Sequence, residues 1–250
     1  MSITMPGVPV THLAGVHIGF EALINRHPGD GKGRARTSRG TNPAMLLSTP
    51  GESSTLRAGV AQSAELLEAA DTLVRQRYAW RGYQVKSRAE LDAIFPERQK
   101  HEITFVAMDE RALLGTITLG LDGPTGLRAE ETHSDAILFA RESGSRVCEL
   151  TRLAVANCPD SRTVLASLFS LVYALGRTIH GVTDVFIEVN PRHVGFYQRI
   201  LGFIVAADER FCDRVGAPSV LLRLDIDVLD ERLQQFGLAA IAEPVLENAG

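Results

Sequence analysis

The chain is poor in cysteine, in aromatic residues and in unbroken apolar runs, and each shortage excludes a class of protein. Three cysteines in 250 residues, Cys148, Cys158 and Cys212, with no C-x-x-C spacing, argue against a disulfide framework and a zinc ribbon. They read as reduced thiols, with Cys148 and Cys212 also readable as nucleophiles. No stretch approaches the roughly 18 to 20 consecutive apolar residues of a bilayer-spanning helix. The opening residues, MSITMPGVPVTHLAGVHIGFEALINR, have no basic start followed by a continuous apolar run. No secretory signal is therefore expected, and the cytoplasm is the expected location. A net charge of -4 removes the bulk electrostatic case for nucleic acid, so an anionic partner would have to meet a local basic patch. The seven histidines do not fall at ligand spacing from cysteines or carboxylates, so no metal site is expected.

What is present is a globular composition, 45% hydrophobic and 22% charged, at a length that suits one α/β domain with an appendage. Residues 1–60 read as a flexible arm. Gly, Pro, Ser and Thr dominate them, and between Arg26 and Arg39 five Lys or Arg residues stand against the single Asp30. Such a composition buries too little surface to offset its ordering entropy. The folded domain is expected over 61–226, with a C-terminal helix and tail over 227–250. Apolar residues three and four apart predict a first helix over 62–82, and a second follows over 87–95. Strands are expected over 102–108 and 113–121, joined as a hairpin, and over 147–155. A polar segment over 127–144 holds a short helix. A strong helix then runs from about 161 to Gly181, a strand over 182–189 has little polar alternation, a short helix covers 192–201, and strands follow over 203–206 and 220–226.

Two segments carry chemistry. In Val147-Cys148-Glu149-Leu150-Thr151-Arg152-Leu153-Ala154-Val155 a carboxylate and a guanidinium stand three residues apart, on opposite faces of a regular strand. A bulge between them would turn both toward one cavity; otherwise they form an ion pair that anchors the strand. In the second segment, from Glu188 to Phe203, His193 and Tyr197 are four apart, so a helix starting at Arg192 projects them from one face beside a strand end.

The strand-helix-strand-helix order ending in FYxxxLGF resembles the GNAT acyltransferase superfamily. GLRAEETHSDAILFARESGSRVCELTRLAV followed by VNPRHVGFYQRILGF resembles, more narrowly, the long-chain N-acyl amino acid synthases, relatives of the acyl-homoserine lactone synthases. The resemblance covers about residues 62–226. It implies a mixed, mostly antiparallel sheet with splayed middle strands and flanking helices. The implied reaction transfers a fatty acyl group from a phosphopantetheine thioester to the amine of an amino acid. On this reading Glu149 and Arg152 match the family's E-x-x-R motif, and backbone donors at Leu153, Ala154 and Val155 bind the pantetheine or the developing oxyanion. Glu149 is the preferred base with His193 as substitute; Tyr197 protonates the departing thiolate; Arg152 binds the acceptor's carboxylate or fixes Glu149.

The Gly-rich pyrophosphate loop of coenzyme A enzymes is replaced here by Asn157-Cys158-Pro159-Asp160-Ser161-Arg162, which has no glycine and places Asp160 where phosphate would sit. Acyl carrier protein is therefore the expected donor and partner, with acyl-CoA the weaker candidate and no cofactor bound permanently. Between positions 72 and 89 there is no acidic residue, while Arg75, Arg77, Arg81, Lys86 and Arg88 offer a docking surface for an acidic carrier. The acidic cluster of the lactone synthases has no counterpart beyond Asp92. Phe139, Leu150, Phe169, Phe186 and Phe203 are candidate walls of an acyl tunnel, and peripheral membrane contact would come through the lipid product. The competing readings are an acetyl-CoA-dependent N-acetyltransferase and a non-catalytic lipid- or carrier-binding module.

Overall fold

A computed structural model of the protein describes residues 8–9 and 56–235, apart from 84 and 95. Its centre is an eight-stranded sheet: β1 (Val8–Pro9), β2 (Arg57–Val60), β3 (Glu102–Met108), β4 (Leu113–Leu121), β5 (Val147–Val155), β6 (Asp184–Val189), β7 (Ile204–Cys212) and β8 (Ala217–Asp225). The order is β1-β2-β3-β4-β5-β6-β8-β7, antiparallel everywhere except between β5 and β6. The expected sheet, mixed and mostly antiparallel, is present. Most of the arm expected over 1–60 lies outside the described residues, as does the tail after 235. Arg57–Val60, inside that stretch, is a strand paired with β3. Four residues are too short a run for an alternation to be read.

Among the described residues five helices of two turns or more flank the sheet: α1 (Ala64–Ala79), α2 (Arg88–Ile94), α3 (Glu130–Glu142), α4 (Ser161–Tyr173) and α5 (Ile226–Gln235). Among the described residues no helix is long and apolar enough to cross a membrane. Ser63 starts α1 by accepting the Leu66 N–H at 3.2 Å, and Leu73 and Val74 pack on Ala154 of β5. The polar stretch expected to hold a short helix forms the 13-residue α3. Its buried stripe is only His133, Ile137 and Ala140, too sparse to stand out. α4 covers the opposite face, where Val164, Leu165, Leu168 and Phe169 join Ile117, Cys148, Leu150, Val185 and Ile187 in the main core. The segment after β6 is a chain of short helical turns, Pro191–His193, Val194–Phe196 and Tyr197–Leu201, in place of one regular helix. It stops at Gly202, whose φ of 83° a residue with a Cβ would resist.

Two irregularities shape the middle. β5 and β6 pair only from Val147 with Asp184 to Leu150 with Ile187, although β5 runs on to Val155 and β6 to Val189. Beyond that point the sheet is open. Opposite the opening, three steps of β5 from Thr151 to Ala154 face two steps of β4 from Thr118 to Thr116, which is a bulge. Arg152 sits in it with φ 56°, the left-handed region.

Candidate active site

A cavity of about 450 Å³ occupies the opening. The helices on either side give it two unlike faces. Toward α4 its walls are Ile117, Leu150, Leu165, Phe169 and Ile187, all core residues. Toward α1 and α3 they are Arg128, Glu149, Arg152, Glu188, Arg214 and Ser219. The space therefore passes through the sheet, apolar on one side and polar on the other.

The bulge does to Glu149 and Arg152 what the sequence suggests, turning both to the α1 and α3 face, but they do not pair with each other. The Glu149 carboxylate, in a residue only 3% exposed, accepts the N–H groups of Arg128 at 2.7 Å and Ala129 at 2.9 Å. Ala129 caps α3 with no side chain able to do so, and Glu149 of β5 supplies the missing acceptor where the helix dipole favours an anion. Its neighbour across the ladder is Gly120, where a Cβ would stand 2.9 Å from Glu149 Cγ; the glycine makes room for the side chain. Burial pushes the Glu149 carboxyl up, against the charge of Arg214 and the two amides. Arg152 reaches instead to Asp71 of α1. Asp71, also 3% exposed, takes the Arg88 N–H on Oδ1 and Arg75 Nε on Oδ2, each at 2.8 Å.

Leu153, Ala154 and Val155 line the cavity at the open edge of β5. The Ala156 N–H bonds the Leu114 carbonyl at 2.7 Å, so alternation turns the Val155 N–H to the open side. His193 and Tyr197 line the cavity from beyond β6. His193 Nε2 lies 3.2 Å from Arg81 Nη1, and burial, with the charges of Arg81 and Arg192, holds its imidazole down at about 4. It is neutral at neutral pH and able to accept a proton. Burial pushes the Tyr197 hydroxyl up, so it stays protonated; its ring packs edge-on against Phe196 and Phe203, with centroids 5.2 and 5.8 Å apart.

The five basic positions between 72 and 89 divide. Arg77, Arg81 and Lys86 line the cavity, whereas Arg75 pairs with Asp71 and Glu68 and Arg88 with Asp92. Of the five candidate tunnel walls, Leu150 and Phe169 face the cavity. Phe139 is 67% exposed on the outer face of α3, Phe186 is buried against α3, and Phe203 packs in the core on Tyr197. A lone Phe in a sequence pattern carries no sign of which side of a sheet it joins. Cys148 is buried under α4, where burial pushes its thiol up, contrary to what a nucleophile needs.

Sequence reasoning did not find Asp71, Arg128, Glu188, Arg214 or Ser219. Glu188 accepts from Ser219 Oγ at 2.6 Å and pairs with Arg214, and His133 Nε2 lies 3.8 Å from its Oε1. Asp71 left one signal: it interrupts the apolar stripe Leu67, Ala70, Val74 and Tyr78 of α1, where an unpaired carboxylate would be costly.

The model of the family described as N-acyl amino acid synthase FeeM matches residues 69–225. Among solved structures, FeeM, an N-acyl amino acid synthase from uncultured soil microbes, is 26% identical with a TM-score of 0.64, covering 74% of this chain and 98% of its own. The AHL synthase LasI is 15% identical (TM-score 0.47; 69% of this chain and 91% of its own). An acyl-CoA N-acyltransferase from Pseudomonas aeruginosa is 13% identical (TM-score 0.42; 68% and 99%). No curated protein matches the chain.

Proposed function

The chain belongs to the N-acyl amino acid synthase family, N-acyltransferases of the GNAT fold, and on that premise we propose that it moves a long-chain acyl group from acyl carrier protein to the α-amine of a free amino acid. The observation that carries this reading is the two-faced cavity through the parted strands. Its apolar side suits a fatty chain, its polar side suits an amino acid, and a thioester lying in the split would be reached from both.

An α-ammonium with a pKa of about 8 to 9 must lose a proton before it attacks. His193, neutral and in the cavity wall, takes that proton. Glu149 has each oxygen engaged by a backbone amide and acts by setting the start of α3. The nitrogen then bonds to the thioester carbon, whose oxygen meets the Val155 N–H, and the C–S bond breaks. Tyr197 gives its proton to the departing sulfur and regains one from the new amide nitrogen. One proton of the ammonium thus stays on the amide, one reaches the thiol and one leaves through His193.

Carrier protein is favoured over coenzyme A by charge. The inner cations Arg128, Arg152 and Arg214 are matched by Glu102, Asp71 and Glu188. Arg77, Lys86, Arg192 and Arg199, which also line the cavity, have no carboxylate within ion-pair distance among the described residues. They make an unbalanced positive rim for an acidic partner. The turn ahead of α4 meanwhile presents Asp160 at the helix start, a poor seat for pyrophosphate. The reading keeps the enzyme in the cytoplasm, with its lipid product the part that would meet a membrane.

The test is product formation from acylated carrier protein or acyl-CoA with a mixture of amino acids, followed by mass spectrometry and thiol release. N-acyl amino acids formed faster from the carrier support the proposal; equal or faster transfer from CoA would overturn the donor assignment. Phe169→Leu, a change costing about 1 kcal/mol in a packed core, is expected to shift the preferred donor toward longer chains by shortening the apolar wall. Competition between donors of graded length checks this.

A further inference from the structure

One cavity cation drawn partly out of water has no acid to match it, Arg81. It lies two residues beyond the end of α1, where that helix has passed over β5 and the opening, and bridges to His193 on the far side with Nη1 3.2 Å from Nε2. It is half-buried, and no acidic side chain acts on it: Arg77 repels it, and the rings of Tyr78, Tyr83 and Tyr197 are its other neighbours. No carboxylate lies within ion-pair distance of it among the described residues. The contrast with Arg128, Arg152 and Arg214, each matched by an acid, is sharp. A guanidinium drawn partly out of water with only a neutral imidazole for company is a site that a carboxylate ligand would complete.

The same contact occupies the atom that the chemistry needs. An imidazole nitrogen accepting from Arg81 is not available to an ammonium. We propose that Arg81 is the receptor for the acceptor's α-carboxylate, and that capture of Arg81 by this carboxylate uncovers His193 Nε2 for the α-amine. An α-amino acid bears both groups on one carbon, so two protein groups in direct contact can each take one of them. The acceptor's own acid thereby selects free α-amino acids over amines that lack one, through binding and through access to the base together. This assignment moves Arg81 from the carrier-docking set into the acceptor site. It rests on the amino-acid reading above.

The experiment compares amino acids with their decarboxylated amines, for instance phenylalanine with phenethylamine and leucine with isopentylamine, using acylated carrier protein as donor. It is run in wild type, Arg81→Ala and Arg81→Lys, and melting temperatures verify that both variants fold. Wild type should favour the amino acid in kcat/KM by roughly ten- to a hundredfold, the scale of hydrogen bonds to a charged group. Arg81→Ala should bring the ratio to within about threefold of unity, the amino acid losing rate with its carboxylate receptor and the amine gaining rate as His193 Nε2 is uncovered. Arg81→Lys, which keeps the charge without the planar fork, should fall between. A wild-type ratio that survives in Arg81→Ala overturns the assignment, as does a wild type that acylates amines as fast as amino acids; in both cases acyl transfer itself stands. Failure of wild type to acylate anything would remove the functional reading and this inference together.

Discussion

His193→Gln is expected to lower kcat by about two to four orders of magnitude, the scale of a lost general base, while leaving the fold intact. The pH profile tells more than the rate. Burial, Arg81 and Arg192 hold the wild-type imidazole at about 4, below the ordinary histidine value, so it stays unprotonated from alkaline solution down to about that pH. Protonation stops it from taking the ammonium's proton, so wild-type kcat/KM should be level from about pH 5 to 8 and fall only as pH approaches 4. The glutamine variant can use only amine that is already neutral, so its rate should climb tenfold per pH unit up to the amine's own pKa of about 8 to 9. A wild-type profile with that same slope would show that His193 takes no proton. The stability sign is consistent: between about 6.5 and 4 the unfolded chain binds a proton at this site and the folded chain does not, so His193 weakens the fold as pH falls through that window.

Asp71→Ala should cost about 3 to 5 kcal/mol, because it removes the acid from a buried pair and leaves Arg152 charged and unmatched. For a domain of this size that is a fall in Tm of roughly ten degrees. Asp71 ties three elements together: α1 that carries it, the start of α2 through the Arg88 N–H, and the bulge of β5 through Arg152. Without it, the left-handed φ of Arg152 loses the contact that compensates its strain, which is of order 1–3 kcal/mol for such a residue. Thermal unfolding by circular dichroism checks the prediction; a loss under about 1 kcal/mol would mean that the pair is dispensable.

Much of the sheet is readable in the residues. Glu102–Met108, Leu113–Leu121 and Val147–Val155 begin and end where alternation and turn signals put them. The bulge was one of the two arrangements the residues allow, since an extra residue sets Glu149 and Arg152 on one face whereas the other arrangement makes them an anchoring ion pair. Their partners were not. Arg152 meets an acid 81 positions earlier, and Glu149 meets backbone N–H groups, which have no sequence signature at all. β7 was foreshortened for another reason. As the exposed edge of the sheet it presents Ile204, Val205 and Phe211 to solvent beside Asp208, Glu209 and Arg210, which blurs any period of two. The candidate site suffered likewise: His193 and Tyr197 stand in one recognisable stretch, whereas Arg81 joins them only because α1 passes over the opening.

Because β5 and β6 are zipped from Val147 to Leu150 and free beyond, the opening is a wedge closed at its Val147 end. On the proposed reaction, a product lodged there would have its headgroup on one side of the sheet and its tail on the other, with the carrier's arm still standing in the split between the strands. On that proposal departure would be ordered: the spent carrier would back away first, and only then would the lipid slide free. Excess thiol-bearing carrier should accordingly slow turnover by trapping finished product, not merely by competing with fresh donor.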